Sequence, residues 1–249
     1  MSAATAITAK DKKTISELVK LYDQYRSDIK LFVATQVVGR ITETKDLFCL
    51  IHSIKWRLKE TDSLQDKLFR QVKEAHSKNE PFSVSTENFF IKINDLGGVR
   101  LLHLHTRQFE GIHKQLSRAL EEARLPIVEG PIAKTWDDET RAYFCKIGVK
   151  TEESPSLYTS VHYVIESNSR TKYTCELQVR TLAEELWGEV SHHFEYPHPT
   201  GSVACSEQIK TLARLTSGCS RSVDAIFRSH DEYCEFTRKR KRQTKKKRR

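Results

Sequence analysis

Four short segments of the chain combine charged and polar residues at spacings that suit phosphate chemistry. The first segment contains Lys59, Ser63 and Lys67. If it is helical, these residues recur every four positions, so two ammonium groups and a hydroxyl share one face. Ammonium groups donate hydrogen bonds to anionic oxygens, and such a face therefore suits a polyphosphate. An ordinary exposed helix face has the same pattern, and this segment alone does not decide between the two.

The second segment, Asp95-Leu-Gly-Gly-Val-Arg100, interrupts two strand-like runs. An acid at such a break can project into a cleft at the edge of a sheet, and the two glycines permit close approach of the backbone. A carboxylate beside phosphates is a natural ligand for Mg²⁺. The alternative is a simple turn in which the arginine is incidental.

The third segment leads from a loop into a strand over residues 154–163. Tyr158 could stack on a nucleotide base, a contact worth roughly 1–3 kcal/mol. Ser160 and His162 are two residues apart and therefore share one face of the strand. A packed tyrosine and a histidine with satisfied hydrogen bonds are the alternative interpretation.

The fourth segment is a strand in which polar and apolar residues alternate strictly. Glu176, Gln178 and Arg180 fall on one face and the apolar residues on the other. Three polar groups on one face of a strand flanked by core residues predict a wet cleft or a catalytic face. Glu176 is then the natural second carboxylate beside Asp95, although a solvent-facing strand side gives the same pattern.

The elements that must position these residues follow a simple order. Apolar periodicity predicts helices over 10–78, a helix over 108–124, and helices over 181–196 and 206–236. Strands are predicted at 90–93, 99–105, 127–132, 141–149, 160–166 and 173–179. This order predicts a single α+β (mixed α/β) domain, with a mixed sheet of about five strands flanked by N- and C-terminal helices.

The net charge of +9 is concentrated in residues 238–249, which contain ten Lys or Arg and no acid. We expect this run to be disordered, because like charges repel each other. It could hold RNA, ribosomes or an acidic membrane surface by counterion release. The absence of an apolar stretch in residues 1–13 and of any run of transmembrane length predicts a cytoplasmic protein without a transmembrane segment.

The order of the four segments resembles that of the RelA/SpoT alarmone synthetases. The motifs that carry the resemblance are Arg57-x-Lys59-x3-Ser63-x3-Lys67, Asp95-x4-Arg100, Tyr158-x-Ser160-x-His162 and Glu176-x-Gln178-x-Arg180-Thr, followed by Leu182-Ala-Glu-Glu-Leu-Trp187. The resemblance covers about 55–196 and implies a nucleotidyltransferase-like synthetase domain. The division it suggests is a helical segment at 1–54, the synthetase domain at 55–200, a helical segment at 201–237 and the basic tail at 238–249.

The resemblance also implies roles for the residues on the donor side. Arg57 and Arg100 would stack on the two faces of the adenine of ATP. Lys59, Ser63 and Lys67 would hold the phosphates of ATP.

For the metal and the acceptor, the resemblance implies that Asp95 and Glu176 bind Mg²⁺, and that Glu176 helps to deprotonate the acceptor hydroxyl. Tyr158 would stack on the acceptor base, and His162 would lie near the acceptor ribose or phosphates. Lys146 and Lys150 would be basic residues on the acceptor side. Gln178 and Arg180 would be supporting residues.

The implied activity is transfer of the β,γ-pyrophosphate of ATP to the ribose 3′-hydroxyl of GDP or GTP, which makes (p)ppGpp without a hydrolase domain. Two alternatives stay open: a toxin-like relative that modifies the 3′ end of tRNA, and an inactive module that binds nucleotide or RNA. Leu157 stands where the family usually has a glycine before the tyrosine, which leaves the acceptor open. The sequence also leaves open whether the chain forms a homo-oligomer.

Overall fold

The computed structural model describes residues 7–195 and 200–247. The start of the segment 1–13, the last residue of the predicted helix 181–196 and the last two residues of the basic tail lie outside the described residues. The N-terminal helices are α1 Ala9–Leu31, a π-helical segment Phe32–Val38, α2 Gly39–Glu43 and α3 Lys45–Phe48. Helix α1 begins at a capping box, because the Thr8 hydroxyl accepts from the Asp11 backbone and the Asp11 carboxylate accepts from the Thr8 backbone.

Six strands of the described residues form one mixed sheet. The strands are β1 Ser53–Leu58, β2 Gly97–His103, β3 Ile127–Thr135, β4 Lys150–Glu153, β5 Ser160–Glu166 and β6 Thr174–Thr181. Their order across the sheet is β1-β2-β6-β5-β3-β4. The pairs β2–β6 and β3–β4 are parallel, and the other neighbours are antiparallel. The mixed sheet confirms the predicted fold class, with one strand more than expected.

The helices that follow α3 flank this sheet and extend beyond it. They are α4 Thr61–Ser77, α5 Phe89–Lys92, α6 Gln108–Glu122, α7 Asp138–Lys146, α8 Leu182–Glu195 and α9 Val203–Lys247. None of the helices in the described part of the chain is long and apolar enough to cross a membrane.

The sheet has one apolar and one polar face, because side chains alternate along each strand. The apolar face is packed against the N-terminal helices. This packing is close at Gly97, where an added Cβ would lie 2.4 Å from the Val33 side chain. A side chain at this position would therefore separate strand β2 from the π-helical segment.

The first strand corrects the prediction of continuous helix over 10–78, and it crosses the predicted boundary between 1–54 and 55–200. Ile54 and Leu58 pack against the core while Lys55 and Arg57 point to the other face, which is the period of a strand. Pairing with β2 stabilises this extended conformation. Lys59 consequently precedes helix α4, and only Ser63 and Lys67 of the predicted helix face are helical.

Two predicted strands are helical, and their contacts explain why. Residues 90–93 lie in and just after α5, where Phe89, Phe90 and Ile93 are buried at helical spacing. Most of 141–149 lies in α7, because the Asp137 side chain accepts from the backbone of Thr140 and caps a helix at that point.

The conformation of the basic tail also differs from the predicted disorder. Helix α9 crosses the predicted boundary at 237/238 without a break and continues to Lys247. Lysine and arginine have high helix propensity, and cations are favoured at the C-terminal end of a helix dipole. The predicted strand 160–166 and helix 108–124 agree with β5 and, within two residues, with α6.

We predict that His103, the last residue of β2, makes the stability of the fold sensitive to acid. Burial lowers the pKa of His103 from 6.5 to about 4. The unfolded chain therefore takes up a proton at this position below pH 6.5, whereas the folded chain does not. Between pH 7 and pH 5 the free energy of unfolding should fall by about 2 kcal/mol more in the wild type than in His103→Gln. Urea unfolding at both pH values measures this, and equal losses in the two proteins would refute the assignment.

Candidate active site

The polar face of the sheet brings together residues from four strands. Across the sheet, Lys55 of β1 lies opposite Arg100 of β2, Arg100 opposite Gln178 of β6, and Gln178 opposite His162 of β5. A second row is formed by residues two positions away, and it contains Arg57, Gly98 and Glu176. The sequence-predicted polar residues of all four segments therefore contribute to one surface.

Asp95 lies in the turn before β2 and holds two lysines. Its carboxylate accepts from Lys59 Nζ at 2.8 Å and from Lys67 Nζ at 2.7 Å. Burial alone would raise the pKa of Asp95, but the charges of Lys67 and Lys59 hold this pKa below its usual value. The group is therefore an anion at neutral pH, paired with two cations that could turn to phosphate oxygens.

Glu176 lies on β6 and is paired with His162 of β5. Nδ1 of His162 and Oε1 of Glu176 are 2.8 Å apart. Burial is the largest influence and raises the pKa of Glu176, but the hydrogen bond to His162, the charge of His162 and a hydrogen bond from Gln178 together keep the pKa below its usual value. The negative charge of Asp95 raises the pKa of Glu176, so the two carboxylates interact electrostatically. Nε2 of His162 is buried and has no hydrogen-bond partner among the described residues.

Tyr158 is half-buried at the other end of this face. Its hydroxyl donates to Oε1 of Gln178 at 3.0 Å, and the Arg180 guanidinium lies 5.7 Å from its ring centroid. The rings of His162 and Trp187 lie 5.6 and 6.2 Å away. Tyr158 is thus part of a packed aromatic group and not a freely exposed stacking platform.

Leu157 keeps the backbone conformation that a glycine would have at this position. Its φ is +61°, which for a residue with a Cβ costs about 1–2 kcal/mol. The family resemblance predicts a glycine here, and the strain shows why. The leucine side chain packs on a small apolar cluster around Trp187, and burial of apolar surface there favours this conformation.

Two adjoining cavities lie over the polar face, with volumes of about 570 and 580 Å³. Both are lined by Arg57, Lys59, Asp95 and Arg100. The first extends towards Glu176, and the second extends towards residues that include Ser63, Tyr158 and Arg180. Each is in the size range of sites that bind small molecules. The arrangement can therefore accommodate two ligands that meet beside Asp95.

Lys146 and Lys150 are not brought to these cavities. Lys146 is exposed at the end of α7, and Lys150 is exposed on β4 at the edge of the sheet. The Lys150 ammonium pairs with Glu152 at 3.2 Å. Strands β5 and β3 lie between β6 and β4, so β4 is about 14 Å from β6.

Helix α8 contributes residues that the sequence reasoning did not single out. Glu185 is buried and forms ion pairs with Lys55 at 2.9 Å, with Arg100 at 3.2 Å and with Arg180. Glu189 forms a second ion pair with Arg100, and it lines the first cavity together with His192. Glu185, Glu189 and His192 recur at helical spacing directly after a polar strand, and this is the signal that could have identified them.

The fit to a divalent cation rests on the two carboxylates. Among the described residues, no group of three or more His, Cys, Asp or Glu side chains could hold a metal ion. Asp95 and Glu176 nevertheless line the same cavity. Mg²⁺ is commonly held by one or two carboxylates together with substrate phosphates and water. The pair therefore fits a cation that binds together with a polyphosphate.

Comparison with known proteins identifies the family of the chain. A sequence model of a family, described as "Region found in RelA / SpoT proteins", matches residues 56–201, which is more than half of the chain. The chain belongs to the RelA/SpoT family. No curated protein sequence matches it. The RelA/SpoT region ends two residues before helix α9 begins.

Solved structures show the same fold at low sequence identity. The small alarmone synthetase 1 of Bacillus subtilis bound to its product pppGpp is 15% identical, with a TM-score of 0.58, and the alignment covers 87% of this chain and 99% of that one. A GTP pyrophosphokinase family protein from Streptococcus pneumoniae is 16% identical, with a TM-score of 0.55 and coverage of 91% and 97%. The predicted RelA/SpoT-type fold is thereby confirmed.

We predict that Glu185 is essential for the stability of the polar face. Glu185→Gln removes the charge that compensates Arg180, whose side chain is only 2% exposed. An uncompensated buried charge should lower the free energy of unfolding by about 3–5 kcal/mol, measured by urea unfolding at pH 7.

The matched control is Glu189→Gln on the same helix, because Glu189 is 53% exposed and also pairs with Arg100. An exposed pair is worth about 1 kcal/mol or less. Equal effects of the two substitutions would contradict the role assigned to Glu185.

Proposed function

We propose that this RelA/SpoT protein is a pyrophosphokinase that transfers the β,γ-pyrophosphate of ATP to the ribose 3′-hydroxyl of GDP or GTP. The observation that carries the proposal is the group formed by Asp95 with Lys59 and Lys67, next to Glu176 in one cavity. Family membership and the shared fold support a pyrophosphotransferase. Two neighbours are described with pppGpp and AMPCPP bound, which makes nucleotide ligands the natural first candidates.

On the donor side, Arg57 and Arg100 are the candidates for stacking on adenine, because they lie in adjacent strands and line both cavities. Ser63 lines the second cavity, and Lys59 and Lys67 meet at Asp95. A polyphosphate placed there would receive both ammonium groups.

Asp95 and Glu176 are the residues that would hold Mg²⁺. When bound, the cation would neutralise charge on the phosphate oxygens of ATP. The paired lysines allow Asp95 to remain ionised before the nucleotide arrives, because they hold its pKa low.

On the acceptor side, Tyr158 and His162 lie next to Gln178 and Glu176. We assign to Tyr158 a contact with the acceptor base and to His162 a contact with the acceptor ribose or phosphates. Glu176 is the candidate to accept the proton of the 3′-hydroxyl. Gln178 and Arg180 support Tyr158. Lys146 and Lys150 would reach an acceptor only if it extends towards β4.

The chemistry requires no covalent intermediate. The 3′-hydroxyl oxygen forms a bond to the β-phosphorus of ATP while the bond between this phosphorus and the bridging oxygen of AMP breaks. Negative charge builds on the phosphoryl oxygens, so Lys59 and Lys67 are placed to stabilise it. The hydroxyl proton passes to a carboxylate or to water.

A tRNA 3′ end is the second candidate acceptor. Two observations favour it: Leu157 replaces the expected glycine at the acceptor loop, and helix α9 carries a run of basic residues at its end. A cytoplasmic location remains a prediction for either acceptor.

The test is a transfer assay with γ-labelled ATP and Mg²⁺, in which GDP, GTP, ATP and tRNA are offered separately. Label on a guanine nucleotide supports the main proposal, label on tRNA supports the second, and no transfer indicates a binding module. We predict that Asp95→Asn and Glu176→Gln each lower transfer by at least about 100-fold.

The control for this assay is Glu121→Gln on helix α6, which changes an exposed acid outside the cavities. It should transfer at the wild-type rate. Full activity of Asp95→Asn or Glu176→Gln, with circular dichroism unchanged, would refute the corresponding role.

We predict a separate role for residues 238–249 in holding RNA. From residue 226 to the end of α9, the side chains that are described are exposed or half-exposed. Truncation of residues 238–249 removes ten basic residues. It should leave the rate of transfer to GDP within about twofold of the wild type, weaken RNA binding and make that binding less dependent on salt. Filter binding at several salt concentrations measures this. RNA binding that is unchanged in the truncated protein would contradict the role.

A further inference from the structure

The loop that carries Tyr158 is fixed by local hydrogen bonds. Residues 154–157 form a turn in which the Leu157 backbone donates to the Ser154 carbonyl at 3.1 Å. Pro155 stands at the second position of this turn, where its fixed φ is favourable. The Tyr158 backbone then donates to Oγ of the buried Ser154 at 3.2 Å. The turn thus sets the direction in which the chain leaves towards β5.

Leu157 is in the left-handed region at the end of this turn. Ordinary residues adopt that region only when their surroundings hold them there. The surroundings are a cluster of Trp187 of α8 with Ile209 and Ala213 of α9, on which Leu157 and Tyr158 pack. The side chain of Leu157 therefore supplies a contact that a glycine could not make.

The cluster connects the loop to the C-terminal helix. Nε1 of Trp187 donates to the Ile209 carbonyl at 2.9 Å, and Trp187, Ile209 and Ala213 are all buried. Ile209 and Ala213 lie beyond the residues that the RelA/SpoT sequence model matches. The cluster on which Leu157 packs thus includes two residues from outside the family region.

Tyr158 in turn is joined to the polar face. Its hydroxyl contacts Gln178, whose neighbour across the sheet is His162. A shift of the loop would move the Tyr158 ring relative to Gln178 and His162, whereas Asp95 is held by its own hydrogen bonds to Lys59 and Lys67. The loop can therefore affect one half of the cleft without the other.

We propose that Leu157 is a positioning residue for the acceptor: its side chain, packed on the cluster of Trp187, Ile209 and Ala213, holds Tyr158 in place for acceptor binding. The inference rests on the proposed function for its kinetic part. It adds helix α9 to the elements that build the acceptor half of the site. It also gives the departure from glycine a physical role, because the leucine replaces backbone freedom by a side-chain contact.

The experiment compares Leu157→Ala, Leu157→Gly and Leu157→Met in the full chain, with Ile226→Ala as the control. Ile226 is an exposed apolar residue of α9 outside the cluster. KM is measured for the acceptor at saturating ATP and for ATP at saturating acceptor, with whichever acceptor takes the label.

Leu157→Ala loses the contact and keeps the strain, so it should raise KM for the acceptor about tenfold or more and leave KM for ATP within about twofold. Leu157→Gly relieves the strain, so its KM for the acceptor should lie between those of the wild type and Leu157→Ala. Leu157→Met conserves volume and should restore KM to near the wild-type value. Ile226→Ala should match the wild type.

Hydrogen exchange of the Tyr158 amide provides a readout that needs no substrate. It should be at least about tenfold faster in Leu157→Ala than in the wild type and near the wild-type rate in Leu157→Met. Unchanged exchange in Leu157→Ala, or a KM for ATP that rises as much as the KM for the acceptor, would overturn the proposal. A wild-type protein that transfers no label refutes the proposed function, and the amide exchange then decides on Leu157 by itself.

Discussion

The ion pairs of Asp95 with Lys59 and Lys67 connect three separate parts of the chain at one point of the cleft. Lys59 follows strand β1, Lys67 lies on helix α4, and Asp95 lies in the turn before β2. Two ammonium groups so close together are stable only with a shared anion between them. The same charges that hold the three elements together are those that a polyphosphate would engage. Structure and proposed chemistry therefore depend on one set of contacts.

The sheet has one apolar and one polar face, and this makes the group around Asp95 part of a larger site. Apolar residues on one face are buried against the N-terminal helices, so the polar residues of β1, β2, β6 and β5 must share the other face. Helix α8 covers part of that face and brings Glu185 into contact with Lys55, Arg100 and Arg180. Without this buried carboxylate, the almost fully buried guanidinium of Arg180 would lose the ion pair that compensates its charge.

Much of the site could be predicted because its residues have charged or polar side chains and recur at every second position of a strand. Glu176, Gln178 and Arg180 are such a case. Strand β1 was missed although it alternates, because its stability comes from pairing with β2, more than forty residues later in the chain. Glu185 was missed because its partners Lys55 and Arg100 are 130 and 85 residues away in sequence. The local spacing of these residues is visible in the sequence, but the partners that they contact are set by the fold.

We propose that a triphosphate binds together with a divalent cation at the group around Asp95. The most direct test is a crystal structure of the full chain with a non-hydrolysable ATP analogue and Mg²⁺. The ammonium groups of Lys59 and Lys67 should contact phosphate oxygens, and the carboxylates of Asp95 and Glu176 should both reach the cation. A triphosphate bound elsewhere, with Asp95 still paired to both lysines and remote from the ion, would contradict it.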